Sequence, residues 1–598
     1  MKRLLLLAAM VSGPLSLQAQ YWNDYVLEKG FDARDYFLRP HRILSLNLKN
    51  IDSGLLGVLP DYLSEMSFQP ATLSSLEGSR LYIDLKGSAE KPKAPKYRVY
   101  PVYFYDNSYF APPFYARPVE RKLEPLLSAI YLGDVAAKYL PGLKYALSYE
   151  LTHHSGTFYE YVPYWYYGAY DAFGVRTAES SRFPEIEPNI KQDGLDEKTE
   201  TAHMMEAYLS FKLAKFLAAG AKVSRTITDI AGDYVRFNDY SRDFDYPYQS
   251  RYLNEKNAGA ALRQNEFSAG AVFTLPAARQ IGFFGGGITG HHAQSSGDRD
   301  SSAYTYGSET QSEYFSRSYY SHQSDSRWRH EGTTRFAGIH GELPMQNNIA
   351  FRFRLEYHKS DLDLTNTGAV LDTSFHRYRY RNYPDSVIYE PAYNSKFSDN
   401  RQGAGEETRT RRSGSAGLVI PMYKNSEATV AVHLEQDESK ALVYEDAQVY
   451  RASRQLVSTP WSPAQTTIGI EDKTLRLDKR LKTTRVALPV AMTFGIGPHW
   501  SVHLAAIKQF LSIKTDEVVD IWFRTDSTIV IRPEGSTPQN PPERVDRYRA
   551  VPVRRSEASL NFRAGASFQP VKAVRIDVGL GASPTDLETW QFAVLFNL

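Results

Sequence analysis

Between Ile349 and Asp361 the chain alternates without a break. Phe351, Phe353, Leu355 and Tyr357 fall on one side of an extended backbone, and Arg352, Arg354, Glu356 and His358 on the other. A strand divided in this way has an apolar neighbour on one face and water or counter-charges on the other. The edge of a sandwich meets that requirement, and so does the wall of a barrel in lipid. The pattern recurs. Leu560, Phe562 and Phe568 alternate with Asn561, Arg563 and Ser567; Val574, Ile576, Val578 and Leu580 alternate with Arg575, Asp577 and two glycines; Met205, Leu209, Phe211 and Leu213 alternate with Glu206, Ser210 and Lys212. Each run is about ten residues, the length that crosses a bilayer as a tilted strand.

Spacing separates the two architectures. Pairs of runs are joined by tight links at 140–144, 215–219, 275–280, 344–348, 422–427, 497–500 and 569–573, while long polar stretches at about 155–201, 230–262, 292–332, 360–410, 438–482 and 514–553 lie between the pairs. A sandwich has no reason to gather its long connections at one end; a membrane barrel does. The expected fold is all-β: a transmembrane antiparallel β-barrel of about 16 strands, with 14 to 18 compatible with the pattern, short periplasmic turns and long extracellular loops. The strands begin with one near Arg80–Ser88, continue through pairs near 127–154, 202–229, 263–291, 333–359, 411–437, 483–513 and 554–582, and end with 588–598.

Composition removes other classes. Of 598 residues none is Cys, which excludes disulfides, thiolate metal sites and a cysteine nucleophile. The net charge of +2 gives no electrostatic basis for nucleic acid binding. Mean hydropathy is −0.44, and beyond residue 20 no run approaches the apolar length of a membrane helix. The first residues, MKRLLLLAAMVSGPLSLQAQ, have the basic, apolar, small-residue order of a secretion signal, assigned to 1–19 with Ala19 as the cleavage residue. Residues 20–78 do not alternate and are expected to form a periplasmic or lumen-occluding segment ahead of the barrel at 79–598.

As a whole the chain resembles Gram-negative outer-membrane β-barrels. The leader ending LQAQ, the Cys-free, Tyr-rich loops and the terminal WQFAVLFNL resemble the uncharacterised barrels of Bacteroidota-type outer membranes. The last strand, with Trp590, Phe592, Val594, Phe596 and Leu598 on one face, is similar to the signal by which barrel-assembly machinery takes up outer-membrane proteins, although it ends on Leu598 where that signal has an aromatic residue. FQPATLSSLEGSRLYIDL resembles the lead into the first strand of fatty-acid-transporter-like barrels. These resemblances imply a Gram-negative outer-membrane location, contact with lipid and lipopolysaccharide, and an association with a TonB-dependent receptor or surface lipoprotein.

Three sets of residues could carry chemistry. The first is charge on the inward faces: Arg352, Arg354, Glu356, Arg563, Arg575 and Asp577, read as an ion-paired lining or as a constriction that sorts solutes by charge. The second is aromatic. Tyr164, Trp165, Tyr166, Tyr167, Tyr246, Tyr248 and Trp328 fall in the polar stretches, either as interfacial girdle and loop packing or as flat faces for sugars, peptides or planar ligands. The third is His153, His154, His291, His292 and His358, which could capture a metal or haem at the rim; adjacent histidines on a strand point to opposite faces, so only one of each pair can look inward. No nucleophile elbow, phosphate-binding loop or H-E-x-x-H motif occurs, so no enzyme and no cofactor is expected. The expected function is solute or nutrient uptake, as a pore or as an accessory to a TonB-dependent import system. The alternative is a surface receptor or adhesin using the aromatic loops, with metal or haem capture and a rim hydrolase further behind.

Overall fold

A computed structural model describes residues 37–43, 47–49, 53–88, 126–134, 142–156, 193–242, 248–308, 314–382, 387–422, 426–457, 463–539, 544–549, 553–583 and 586–598. Tyr164, Trp165, Tyr166, Tyr167, Tyr246 and the leader lie outside them. Sixteen antiparallel strands close into a barrel. In chain order they are Arg80–Ser88, Leu127–Asp134, Leu143–Gly156, Asp193–Ala214, Leu217–Arg242, Tyr248–Leu275, Arg279–Tyr306, Phe315–Pro344, Ala350–Asn382, Ala392–Pro421, Glu427–Gln455, Gln465–Ile496, Trp500–Arg532, Val553–Val571, Val574–Ser583 and Asp586–Asn597. Each pairs with its neighbours in sequence, and Arg80–Ser88 pairs with both Leu127–Asp134 and Asp586–Asn597, which closes the wall. Three short strands, Val387–Tyr389, Gly535–Gln539 and Arg544–Arg549, add to one end.

That end is unlike the other. At the short-turn end, two or three residues join Ala214 to Leu217, Leu275 to Arg279, Ile496 to Trp500 and Val571 to Val574. Asn347 and Asn348 take φ of 60° and 58°, and Ala277 and Ala278 φ of 62° and 55°, the left-handed pairing that matches strand twist in a two-residue hairpin. At the other end the nine strands from Leu217–Arg242 to Trp500–Arg532 run to between 26 and 33 residues. Only about ten residues are needed to cross lipid, so about twenty per strand project beyond it.

Burial shows where the lipid lies. Near the short turns Leu209, Val223, Phe267, Phe283, Leu355, Tyr357, Val432, Leu504 and Leu580 are exposed large apolar side chains, while their alternates Lys222, Glu266, Arg352, Arg354 and Glu435 are buried. Further along the same strands the polarity of the two faces inverts. In Ala350–Asn382, Asp361, Asp363 and Thr365 are exposed and Leu362, Leu364 and Val370 are buried. The outer face has left lipid for water, and the inner face has become the core of a projecting β-structure.

This corrects one feature of the sequence reading. The stretches 230–262, 292–332, 360–410 and 438–482 are long and polar as expected, but they are ladder-paired strand over most of their length rather than loop. Alternation persists through them with its phase reversed, so a search for apolar residues on the lipid face does not find it.

Candidate functional site

The barrel interior is occupied by the chain's own N-terminal part. Among residues 37–76, Phe37, Leu38, Ile43, Leu55, Leu56, Met66, Phe68, Gln69 and Leu73 are each at most 3% exposed. No single element could bury them; they are enclosed by strands from around the whole circumference. Leu63, Met66 and Leu73 pack with Tyr82, Ile130, Tyr208 and Leu595. Leu55 and Leu59 pack with Ala487, Ala491, Ala505 and Ile507 on another part of the wall.

Charge orients this segment. A wall whose outer face is apolar carries its polar residues inward, and buried charges need partners. The segment brings cations to the wall's carboxylates. Arg39 Nη2 lies 3.1 Å from Asp437 Oδ2, Lys49 Nζ 2.6 Å from Glu427 Oε1, and His41 is paired with Glu150. Arg42 donates to Ser67 O at 2.9 Å and lies 3.7 Å from Glu266 Oε1 and 3.9 Å from Glu356 Oε1. One pair has the opposite sense: Arg352 Nη1 is 2.8 Å from Glu65 Oε1, with Glu342 Oε2 2.8 Å from its Nη2, and Arg352 also donates to Leu59 O. Lys222 Nζ is 2.8 Å from Glu266 Oε1 and 3.3 Å from Glu206 Oε1, and donates to the carbonyls of His41 and Ser67.

Backbone proximity completes the seat. The short helical turn Pro70–Ser75 lies against the wall at Gly220, where a Cβ would stand 2.6 Å from Ala71 N. At Gly270, the register partner of Gly220, a Cβ would stand 1.8 Å from Gln69 Oε1. Without those methyls, Gln69 Nε2 reaches the wall's own carbonyls, Phe283 O at 3.0 Å and Ala271 O at 3.2 Å, and Ser210 Oγ donates to Ala71 O at 3.1 Å.

Above this ion-paired layer lies an apolar one. Ile230, Leu262, Ile288, Trp328, Leu364, Val443, Leu477 and Ile521 form one buried cluster with Phe37, Leu38, Leu56 and Phe68. The N-terminal segment is thus the floor on which the core of the projecting part rests.

The residues singled out in the sequence distribute over these layers. Arg352 and Arg354 are inward and buried; Arg354 lies over the Phe68 ring at 5.3 Å, and Glu356 is 3.1 Å from His358. Asp577 is buried and bonded to Arg575 at 3.1 Å, while Arg563 occupies the same inner face on the adjacent strand at half-exposure. Trp328 is in the apolar cluster, not on a rim, and Tyr248 is half-exposed at the far mouth. The histidines do not converge. His153 is exposed and bonded to Thr201, His154 is in the same strand, His291 is half-exposed, and His292 and His358 are buried inward at different heights, His292 5.8 Å from the Phe37 ring and 5.5 Å from His330. Among the described residues no group of three or more His, Asp or Glu is placed to hold a metal. The largest functional set escaped sequence reasoning: Arg39, His41, Arg42, Lys49, Glu65 and Gln69 have wall partners distant in the chain, and only the lack of alternation in their segment set it apart.

An open depression of about 690 Å³ crosses Leu147, Met205, Val223, Phe267 and Thr289. These are lipid-side positions, so it belongs to the outer wall rather than the lumen.

No family model matches the sequence, and no curated protein matches it. Solved structures that overlay on it are outer-membrane barrels. A Pseudomonas aeruginosa FadL homologue is 10% identical, over 93% of this chain and 99% of that one, with a TM-score of 0.28. The CymD monoaromatic hydrocarbon channel is 10% identical over 70% and 97%, TM-score 0.26, and the ferric yersiniabactin uptake receptor FyuA of Yersinia pestis 8% over 87% and 80%, TM-score 0.19. Overlays this loose carry no role across to this chain; its own closed ladder and apolar band establish the barrel.

Proposed function

We propose that the chain is an outer-membrane uptake barrel whose lumen is gated by residues 37–76, with the short turns in the periplasm and the long strands outside the cell. One observation carries this reading: the membrane-level lumen is filled by the chain's own N-terminal segment, whose apolar packing is interleaved with ion pairs and hydrogen bonds to the wall. A permanently open pore has no use for such a segment. A structural filler would be better made apolar, because a buried ion pair is weakly stabilising at best against well-packed apolar residues. Charged contacts can be exchanged for water or for a solute, so a polar plug can leave.

Planar-bilayer recordings test this. The full chain is expected to be almost silent, and a variant lacking residues 37–76, verified as a folded barrel by its heat-dependent gel mobility, is expected to conduct. Open-pore conductance from the full chain would refute gating, and silence from the variant would refute a passage beneath the plug. A second reading, a surface receptor without transport, is favoured by the projecting strands; it predicts ligand binding by a barrel that stays silent in both forms.

A further inference from the structure

The strand register assembles a composite face at the far mouth that no single stretch of sequence contains. One row across the sheet sets Tyr248, Tyr306, Ser316 and Tyr378 side by side. The row below it holds Ser250, Tyr304, Ser318, His376 and Tyr393. The next holds Tyr252, Ser302, Tyr320 and Ser374, and beneath lie Asp300, His322 and Asp372, with His322 and Asp372 paired. All share the inner-face parity of Leu362 and Trp328, but the three upper rows are half-exposed where those deeper positions are buried. The face is therefore the accessible mouth above the apolar layer.

Its chemistry is selective. The Tyr378 ring lies 13° from parallel with Tyr393 and 22° from parallel with Tyr380, and Tyr248 meets Tyr304 edge-on at 5.2 Å. Flat aromatic faces alternate with serine hydroxyls at the spacing of a sheet, above a carboxylate and imidazole row. Apolar ligands do not match a surface so dense in hydroxyls. A peptide adding as a strand needs a free edge, and each of these strands is paired on both sides. Arg317, Arg377 and Arg379 occupy the alternate positions and so face away, Arg377 and Arg379 onto Glu390, whose carboxyl they hold below the usual range. Among the described side chains of these rows the one arginine is Arg451, reached from Asp372 through Phe397 and already met by Glu471 at 2.8 Å, so the carboxylates disfavour anionic ligands.

We propose that this face binds a neutral oligosaccharide, whose C–H faces stack on the tyrosines while its hydroxyls meet the serines and the half-exposed Asp372. As the entry station of the uptake barrel it rests on that reading for its purpose, though not for its chemistry. The test is calorimetry on the detergent-solubilised full chain with maltohexaose, cellohexaose, laminarihexaose, xylohexaose and mannohexaose, and with hexagalacturonate as the anionic comparison. At least one neutral hexasaccharide is expected to bind. Tyr304→Ser and Tyr378→Ser should each weaken it about tenfold, and Tyr319→Ser, on the opposite face and 47% exposed, should leave it unchanged. Binding of no neutral hexasaccharide, preference for the galacturonate, or an equal loss with Tyr319→Ser would overturn the proposal. Gating is read by conductance alone, so either reading can fail without the other.

Discussion

Gly220→Val tests whether the plug is seated on the wall by backbone contact. A Cβ at Gly220 would lie 2.6 Å from Ala71 N, 2.6 Å from Pro70 C and 2.7 Å from Pro70 O. All three are main-chain atoms, so no side chain can swing aside. Reaching ordinary contact at 3.4 Å moves the turn by the difference, 0.8 Å. That carries the Ser210 Oγ to Ala71 O bond, now 3.1 Å, past hydrogen-bonding range and strains both bonds of Gln69. Overpacking costs about 1–3 kcal/mol and each lost bond about 1 kcal/mol. A net loss of about 3 kcal/mol shifts the docked-to-released ratio about a hundredfold. Trypsin reads the released state through Arg42 and Lys49, whose side chains are 11% and 8% exposed when docked; Arg39 precedes Pro40 and is not cut. Cleavage follows the released population while redocking outpaces cutting, so it should accelerate about a hundredfold. Gly259→Ala is the control, because its nearest neighbour would be 3.6 Å away. If folded Gly220→Val is cut no faster than the parent, the plug is not held on this wall.

Other substitutions probe the remaining layers. Leu355→Arg places a charge in the lipid band and should destabilise the barrel by about 2–4 kcal/mol in bilayer unfolding titrations, while Asp363→Arg, eight residues on and outside the band, should be near neutral. Arg352→Met leaves Glu65 buried without its cation and should weaken plug docking by about 3–5 kcal/mol; adding Glu65→Met should recover most of it, which a double-mutant cycle on trypsin rates would show. Trp328→Ala should lower unfolding stability by about 3–5 kcal/mol through a cavity in the apolar layer, yet leave hexasaccharide affinity unchanged, because Trp328 lies below the mouth.

The sequence disclosed what the solvent boundary dictates locally. Phe351 through His358 could be assigned to two faces because lipid and lumen differ so strongly, and Asn347 and Asn348 marked a tight turn because left-handed backbone suits asparagine. Beyond Ser360 the same strand could not be followed. Water replaces lipid outside and an apolar core replaces the ion-paired layer inside, so Asp361, Leu362, Asp363 and Leu364 keep the alternation while exchanging its meaning. The plug was illegible for another reason. His41 meets Glu150, Arg39 meets Asp437 and Gln69 meets Phe283 across separations that no local pattern encodes. Tyr304, Tyr378 and Tyr393 stand in three different strands, and only the register between them makes one face.

If the plug gates the lumen as proposed, the two interior layers have different roles in opening. The apolar layer includes Phe37, Leu38, Leu56 and Phe68, so withdrawing the plug removes the floor of that layer and exposes its remaining members to an aqueous lumen. Opening therefore carries a hydrophobic penalty in addition to the ion pairs it breaks. Asp437, Glu150, Glu266 and Glu427, left by Arg39, His41, Arg42 and Lys49, would regain hydration as water enters. The polar layer thus makes the plug removable, and the apolar layer makes it return. A solute at the mouth can bias this balance only by interacting more strongly with the open arrangement than with the closed one. The inner-face tyrosines and serines are placed to do so, because they lie on the same strands as the apolar layer and directly above it.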